Sequence, residues 1–334
     1  MLITSGRSLL CSAIRYNRST RAARSSVRPM ATTANAAADG VAAQLRLGVK
    51  ASLTSDPEAV LQSVRELVKQ TQASFLIPST ACSWQPGVPG PVTDAYSCCS
   101  STLEEVHAAM EQQLGGKHDS TRRVQAILAS SLYNAGQWQR AFSLMHSVYK
   151  LQLELDTTEA SELLAQVSSR LGPVACAAGE HQIGFSAALL ALDYFSEHSG
   201  DDSQLDMLLV KEGIAAAGDG LSFTGRAVSN SAQALQLSMA LVGPSHPRTI
   251  NIMFNHALSL LRDDQPGAAE PLWQQLVDRC RQSYGMESAD TQTAFAGLAE
   301  SKGMLDQPPR SSAPNPLSLH ASMKWRLPLL PVLL

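Results

Sequence analysis

The chain has 334 residues, of which 44% are hydrophobic, 16% charged and 5% aromatic, enough to bury the core of one large domain or two medium ones. Alanine (45) and leucine (44) dominate and aromatics are few, which argues against a β-sandwich or barrel and for an all-α protein. The formal net charge is −3, no run approaches ~18 uninterrupted apolar residues, and the six cysteines (11, 82, 98, 99, 176 and 280) fit neither a paired-Cys zinc site nor a disulfide scaffold.

Residues 1–38 carry six arginines (Arg7, Arg15, Arg18, Arg21, Arg24 and Arg28), many Ser, Thr and Ala, and no acid before Asp39. That is the composition of an organelle transit peptide, with the mitochondrion slightly favoured over the plastid because Leu9, Leu10 and Ile14 with Arg7 and Arg15 suit an amphipathic basic helix. Met30 is a second possible start. Without that segment 20 basic residues face 29 acidic ones, a net charge of −9, which disfavours nucleic acid and anionic membrane surfaces as partners.

Within 39–76, Val41 to Leu53 reads as a short helix. Ser55-Asp56-Pro57 then supplies a cap and a first-turn proline, and Val60, Leu61, Val64, Leu67 and Val68 fall on one stripe of the helix that follows. Residues 77–100 hold four prolines and two glycines and read as a Pro-rich loop. The pairs Ser101/Glu104 and Thr102/Glu105 offer capping boxes, so the next helix is expected to begin there and run through Val106, Met110 and Leu114.

From here the chain repeats itself. "LGGKHDST" (114–121), "VGPSHPRT" (242–249) and "YGMESADT" (284–291) each place Thr six residues after Gly: Gly115/Thr121, Gly243/Thr249 and Gly285/Thr291. Alanine stands eight residues beyond each Thr (Ala129, Ala257, Ala299) and twenty beyond the first two (Ala141, Ala269). The last two units are 42 residues apart and the first two 128, so two degenerate units belong between them. One contains "SGDDSQLD" (199–206); the other contains "TTEASELLAQ", where Leu164-Ala165 echoes Leu128-Ala129, followed by a Gly/Ala-rich insertion at 172–180.

Each feature has a mechanical reason. Glycine closes a helix in the left-handed conformation, Pro247 sits where a first turn loses no donor, and small alanines let antiparallel helices approach. One pair cannot bury its apolar face alone, so the pairs stack into a solenoid.

These residues resemble the tetratricopeptide repeat of the 42-residue kinesin-light-chain and MalT-like kind. The matches are Val242-Gly243-Pro244-Ser245-His246-Pro247-Arg248-Thr249, Asn255, Ala257-Leu258 and Ala269-Glu270-Pro271-Leu272, with Leu128–Ala141 as a second unit that carries Gly136 and Trp138 at its turn. The resemblance covers about 101–303, strongest in those two units. In the unit from 243 to 285 the turn glycine is Asp264 and the turn aromatic Pro266, so an altered turn is expected there. The resemblance implies an α-α superhelix, right-handed, whose concave face holds a peptide or protein segment. First helices line that face, which points to Arg123, Ser130, Tyr133, Glu162, Gln166, Ser169, Lys211, Asn251, Phe254 and Leu258. Chaperone-binding relatives clamp a peptide carboxylate with several Lys and Asn; with only Arg123 and Lys211 basic here, a mixed polar–apolar groove is expected instead.

No catalytic, cofactor or metal residue is assigned. His118 and His246 hold equal repeat positions and read as turn residues, since the fifth unit has Ser288 there. Cys98-Cys99 read as incidental loop thiols. Gly213–Gly225 lacks the Lys-Ser/Thr ending of a phosphate loop and reads as an inter-helix turn. Glu154, Asp156, Glu159 and Glu162 read as a solvated helix start. The expectation is a non-enzymatic scaffold or adaptor that binds a protein or peptide in an organelle, oligomeric state open. An organellar RNA-binding helical-repeat protein is the alternative, with repeats nearer 35 residues and a basic groove; a helical enzyme with a site in the 77–100 loop is weaker still. At 304–334 six prolines interrupt any helix, so a disordered tail is expected in place of a capping helix.

Overall fold

A computed structural model describes residues 56–73, 91–155, 158–198, 200, 203–306 and 326. The expected helix at 41–53 and the basic segment 1–38 lie outside the described residues. Eleven α-helices and no strand occur among the described residues: α1 (Pro57–Ala73), α2 (Pro91–Leu114), α3 (Asp119–Asn134), α4 (Trp138–Leu155), α5 (Thr158–Ala177), α6 (His181–Glu197), α7 (Gln204–Gly220), α8 (Thr224–Val242), α9 (Pro247–Arg262), α10 (Pro266–Tyr284) and α11 (Ala289–Leu305). Each packs on the next, and the odd-numbered helices also touch along the stack, α3 with α5, α5 with α7 and α9 with α11.

Helix α1 starts as the sequence indicates: Asp56 Oδ1 accepts the backbone N–H of Glu58 and Ala59, both at 3.1 Å. Its stripe of Val60, Leu61, Val64, Leu67 and Val68 is buried. Helix α2 corrects the expected loop. It begins at Pro91, ten residues before the capping boxes, and Thr102 is buried in its middle. The apolar stripe was present in the sequence as Ala95/Tyr96, Cys99, Leu103, Val106 and Met110, but the surrounding prolines masked its first two turns. Cys98 and Cys99 are therefore residues of a helix, the first exposed and the second buried.

The Gly-to-Thr spacing has a direct structural cause. Gly115, Gly243 and Gly285 have φ of 80°, 90° and 80°. At the second and third, the threonine hydroxyl donates back to the glycine carbonyl (Thr249, 2.7 Å; Thr291, 2.8 Å), whereas the buried Thr121 hydroxyl has no partner. The residue between them caps the coming helix: His118 Nδ1 accepts from Ser120 N–H, His246 Nδ1 from Arg248 N–H and Ser288 Oγ from Thr291 N–H.

The turns inside the pairs bring the degenerate units into register. Four residues with positive φ, Gly136, Gly179, Ser222 and Asp264, follow one another at intervals of 42 or 43 residues. At each, two backbone bonds close a Schellman motif, as in Gly136 N–H to Tyr133 O with Gln137 N–H to Leu132 O, and Asp264 N–H to Leu261 O with Gln265 N–H to Leu260 O. The turn at Asp264 is thus unaltered, contrary to expectation, because Asp tolerates the left-handed conformation. Gly213 to Gly220 lie in α7, so the turn expected across 213–225 is confined to 221–223. The expected insertion at 172–180 is helix α5 as far as Ala177. Its glycine serves close packing: a Cβ on Gly184 of α6 would lie 2.9 Å from the Gly172 carbonyl oxygen, and one on Gly172 3.3 Å from Gly213 Cα of α7.

Ala129, Ala141, Ala257 and Ala269 are fully buried at helix contacts. Ala299 is exposed, since among the described residues no helix follows α11 to cover it. Continuous packing of paired helices, one turn motif and one cap position make the chain an all-α, tetratricopeptide-like solenoid.

Candidate functional site

The inner helices α5, α7 and α9 are joined by buried ion pairs. Arg170 of α5 meets Asp206 of α7 at 3.0 Å, and Ser169 donates to the same oxygen at 3.2 Å. Glu212 and Asp219 of α7 pair with Arg248 and Arg262 of α9. Burial raises Glu212 above the ordinary carboxylate range, against the pull of Arg248, and raises Asp219 against Arg262. Beside them Tyr133 of α3 is fully buried with no hydrogen-bond partner for its hydroxyl; burial first, then Glu212 and Cys176, holds its ionisation far above normal. Burial likewise pushes the Cys176 thiol up to about 12, which makes it a packing residue rather than a nucleophile.

Much of this inner surface is filled by the chain's own side chains. Of the expected groove residues, Ser130, Tyr133, Ser169, Phe254 and Leu258 are buried within the chain. Ser130 donates to the Ala126 carbonyl. Arg123 is tied to Asp119 at 2.6 Å, and exposed Glu162 accepts from Gln166 Nε2 at 3.2 Å. Lys211 is half-buried, and desolvation lowers its pKa. Of the acidic run, Asp156 lies outside the described residues.

Asn251 and Phe254 are brought together at the far end, with two residues absent from that expectation, Asn255 and Asp290. Asn255 exchanges two hydrogen bonds with the backbone of Arg326: Arg326 N–H donates to Asn255 Oδ1 at 2.8 Å, and Asn255 Nδ2 donates to the Arg326 carbonyl at 2.7 Å. The Arg326 guanidinium lies 4.0 Å from the centre of the Phe254 ring, 3.2 Å from Asn251 Oδ1 and 2.9 Å from Asp290 Oδ1. Burial raises Asp290 and Arg326 pulls it back. Within the tail expected at 304–334, α11 remains helical as far as Leu305 and Arg326 is held by four side chains of α9 and α11, Asn251, Phe254, Asn255 and Asp290; residues 307–325 and 327–334 lie outside the described residues. Asn255 was visible in the sequence as a repeat-motif residue; nothing around Arg326 marked it.

Among the described residues no group of three or more His, Cys, Asp or Glu could hold a metal ion, and no helix is long and apolar enough to cross a membrane. The two histidines at equal repeat positions are helix caps.

The fold is similar to two crystal structures of nearly identical TPR-like repeats from a protein described as a Podosopora anserina kinesin light chain, the second a point variant. Each shares 18% identity and a TM-score of 0.48, over 69% and 67% of this chain and 99% and 95% of theirs. No family profile matches the sequence, and no curated protein does.

Proposed function

We propose that this chain is a protein-interaction scaffold that holds an extended segment of a partner against the inner faces of α9 and α11. The observation that carries this reading is the pair of hydrogen bonds between Asn255 and the backbone of Arg326. A side-chain amide bonded to both N–H and C=O of one residue holds an extended chain whatever its side chains, as a sheet edge does. Elsewhere on the inner helices ion pairs and buried side chains fill much of the surface, which favours binding at this end.

The place of action in this proposal is an organelle, the mitochondrion before the plastid, because residues 1–38 carry six arginines and no acid. Scaffolding rather than catalysis is the activity proposed. The test is selection of displayed 12-residue peptides on the full chain and on Asn255→Ala. Enrichment of a peptide family that Asn255→Ala no longer retains is the expected result. Selection that yields the same peptides on both chains, or none on either, overturns the reading.

A further inference from the structure

The inner ion pairs obey the repeat. Arg170 and Asp206 form one pair; 42 residues on from each, Glu212 and Arg248 form the next with the charges exchanged. A further 42 residues on stand Phe254 and Asp290. Here the position on α9 holds an aromatic ring in place of the charge that would complete the pair. Asp290 is left as a largely buried carboxylate whose cation cannot come from the repeat, and such a charge is costly without a partner. Arg326 supplies that cation from outside the solenoid, with its guanidinium against the ring at the vacant position.

The geometry points to an arginine-reading subsite formed by Asn251, Phe254, Asn255 and Asp290, occupied in the free chain by its own Arg326. A partner segment must therefore bring an arginine of its own and displace Arg326 to bind. Each group reads a different feature. Phe254 takes the flat face of a delocalised cation, Asp290 takes its charge, Asn251 accepts from one Nη, and Asn255 fixes the backbone that carries it. A lysine ammonium matches the charge but has neither the planar face nor the fork of donors. Because Arg326 is tethered to the chain, it competes at the elevated local concentration of a linked ligand.

The inference rests on the groove reading above, and one titration separates the two. A fluorescent peptide copying residues 320–331 is titrated by anisotropy into the full wild-type chain, Arg326→Ala and Arg326→Ala/Asp290→Asn. A second peptide carries Ala at the Arg326 position. Melting curves confirm that each variant is folded, and Arg326→Lys serves as the conservative replacement should Arg326→Ala fail to fold. The Arg326→Ala chain is expected to bind the arginine peptide about tenfold or more tightly than wild type does. Loss of the arginine from the peptide, or of the Asp290 charge, should each cost about tenfold. Equal binding of both peptides overturns the arginine subsite and leaves the groove reading standing. Equal binding by wild type and Arg326→Ala overturns the competition by Arg326. Binding of neither peptide by a folded Arg326→Ala chain overturns the subsite and the groove reading together.

Discussion

The indole of Trp273 on α10 lies so close over Gly297 on α11 that a Cβ added at Gly297 would fall 2.6 Å from three ring carbons. Trp273 is fully buried and meets Phe254 edge-on, with ring centres 5.1 Å apart, so the contact underlies the same helices that hold Arg326. Gly297→Ala improves helix propensity by up to about 1 kcal/mol, and overpacking a buried ring costs ~1–3 kcal/mol. The ring is fully buried and also meets Phe254, so overpacking wins. Chemical denaturation should show a less stable variant, and a gain in stability would mean the indole moves freely.

His256 on α9 gives the fold a pH dependence with a definite sign. Its Nδ1 lies 2.9 Å from Ser231 Oγ of α8, and burial lowers its pKa below the ordinary imidazole value. The folded value then lies below the unfolded one of about 6.5, so protonation favours the unfolded chain. The contribution is complete above about pH 6.5 and is lost as the pH falls from there. His146 and His246 are lowered as well and act in the same direction, whereas the raised carboxyls of Glu212, Asp219 and Asp290 act in the opposite one, so the histidine contribution is read as a difference between variants. The difference between wild type and His256→Asn isolates one of the three histidines. A pH-independent difference between the two melting curves would show that His256 does not titrate in this window.

What the sequence discloses is the part of the fold built from local, repeated chemistry. Gly115, Gly243 and Gly285 mark helix ends because only a left-handed residue closes them, and Ala141 and Ala269 mark contacts because only a small side chain fits. The start of α2 is hidden because prolines at 78, 86, 89 and 91 dilute a stripe whose spacing is otherwise helical. The candidate site is legible in half measure. Asn251 and Phe254 follow from their register on an inner helix, but Asp290 gains meaning only once Phe254 is seen in the place of a charge. Arg326 lies 71 residues from Asn255 in the chain, and no local pattern foretells a contact at that distance.

The four Schellman turns make a prediction that tests their equivalence. Ser222 holds φ of 61° where Gly136 and Gly179 hold 81° and 86°. A residue with a Cβ pays about 1 kcal/mol or more for that conformation, partly offset by the greater freedom of glycine in the unfolded chain. Ser222→Gly should therefore raise stability by about 0.5 kcal/mol, and Gly179→Ala, which meets no neighbouring atom within 4 Å, should lower it by about 1 kcal/mol through the backbone alone. Opposite signs in the two denaturation midpoints are the required outcome; a destabilising Ser222→Gly would mean that its turn is not the partner of the other three.

The exchange of charge between successive ion pairs carries the last prediction. Arg170 stands over Asp206 and Glu212 over Arg248, so an inner helix paired one repeat out of place would set Arg170 against Arg248 or Glu212 against Asp290. Alternation of sign thereby disfavours misregistered stacking among helices whose apolar faces are much alike. Arg248→Glu leaves two buried carboxylates facing each other beside Tyr133, and the loss should be of the order of 3–5 kcal/mol. The double change Glu212→Arg/Arg248→Glu restores opposite charges in the order already used by Arg170 and Asp206, and it should recover most of that loss. A double-mutant cycle in denaturant measures the coupling directly. If the exchanged pair stays as unstable as Arg248→Glu alone, the two pairs are not equivalent, and the register that places Phe254 and Asp290 at the third falls with them.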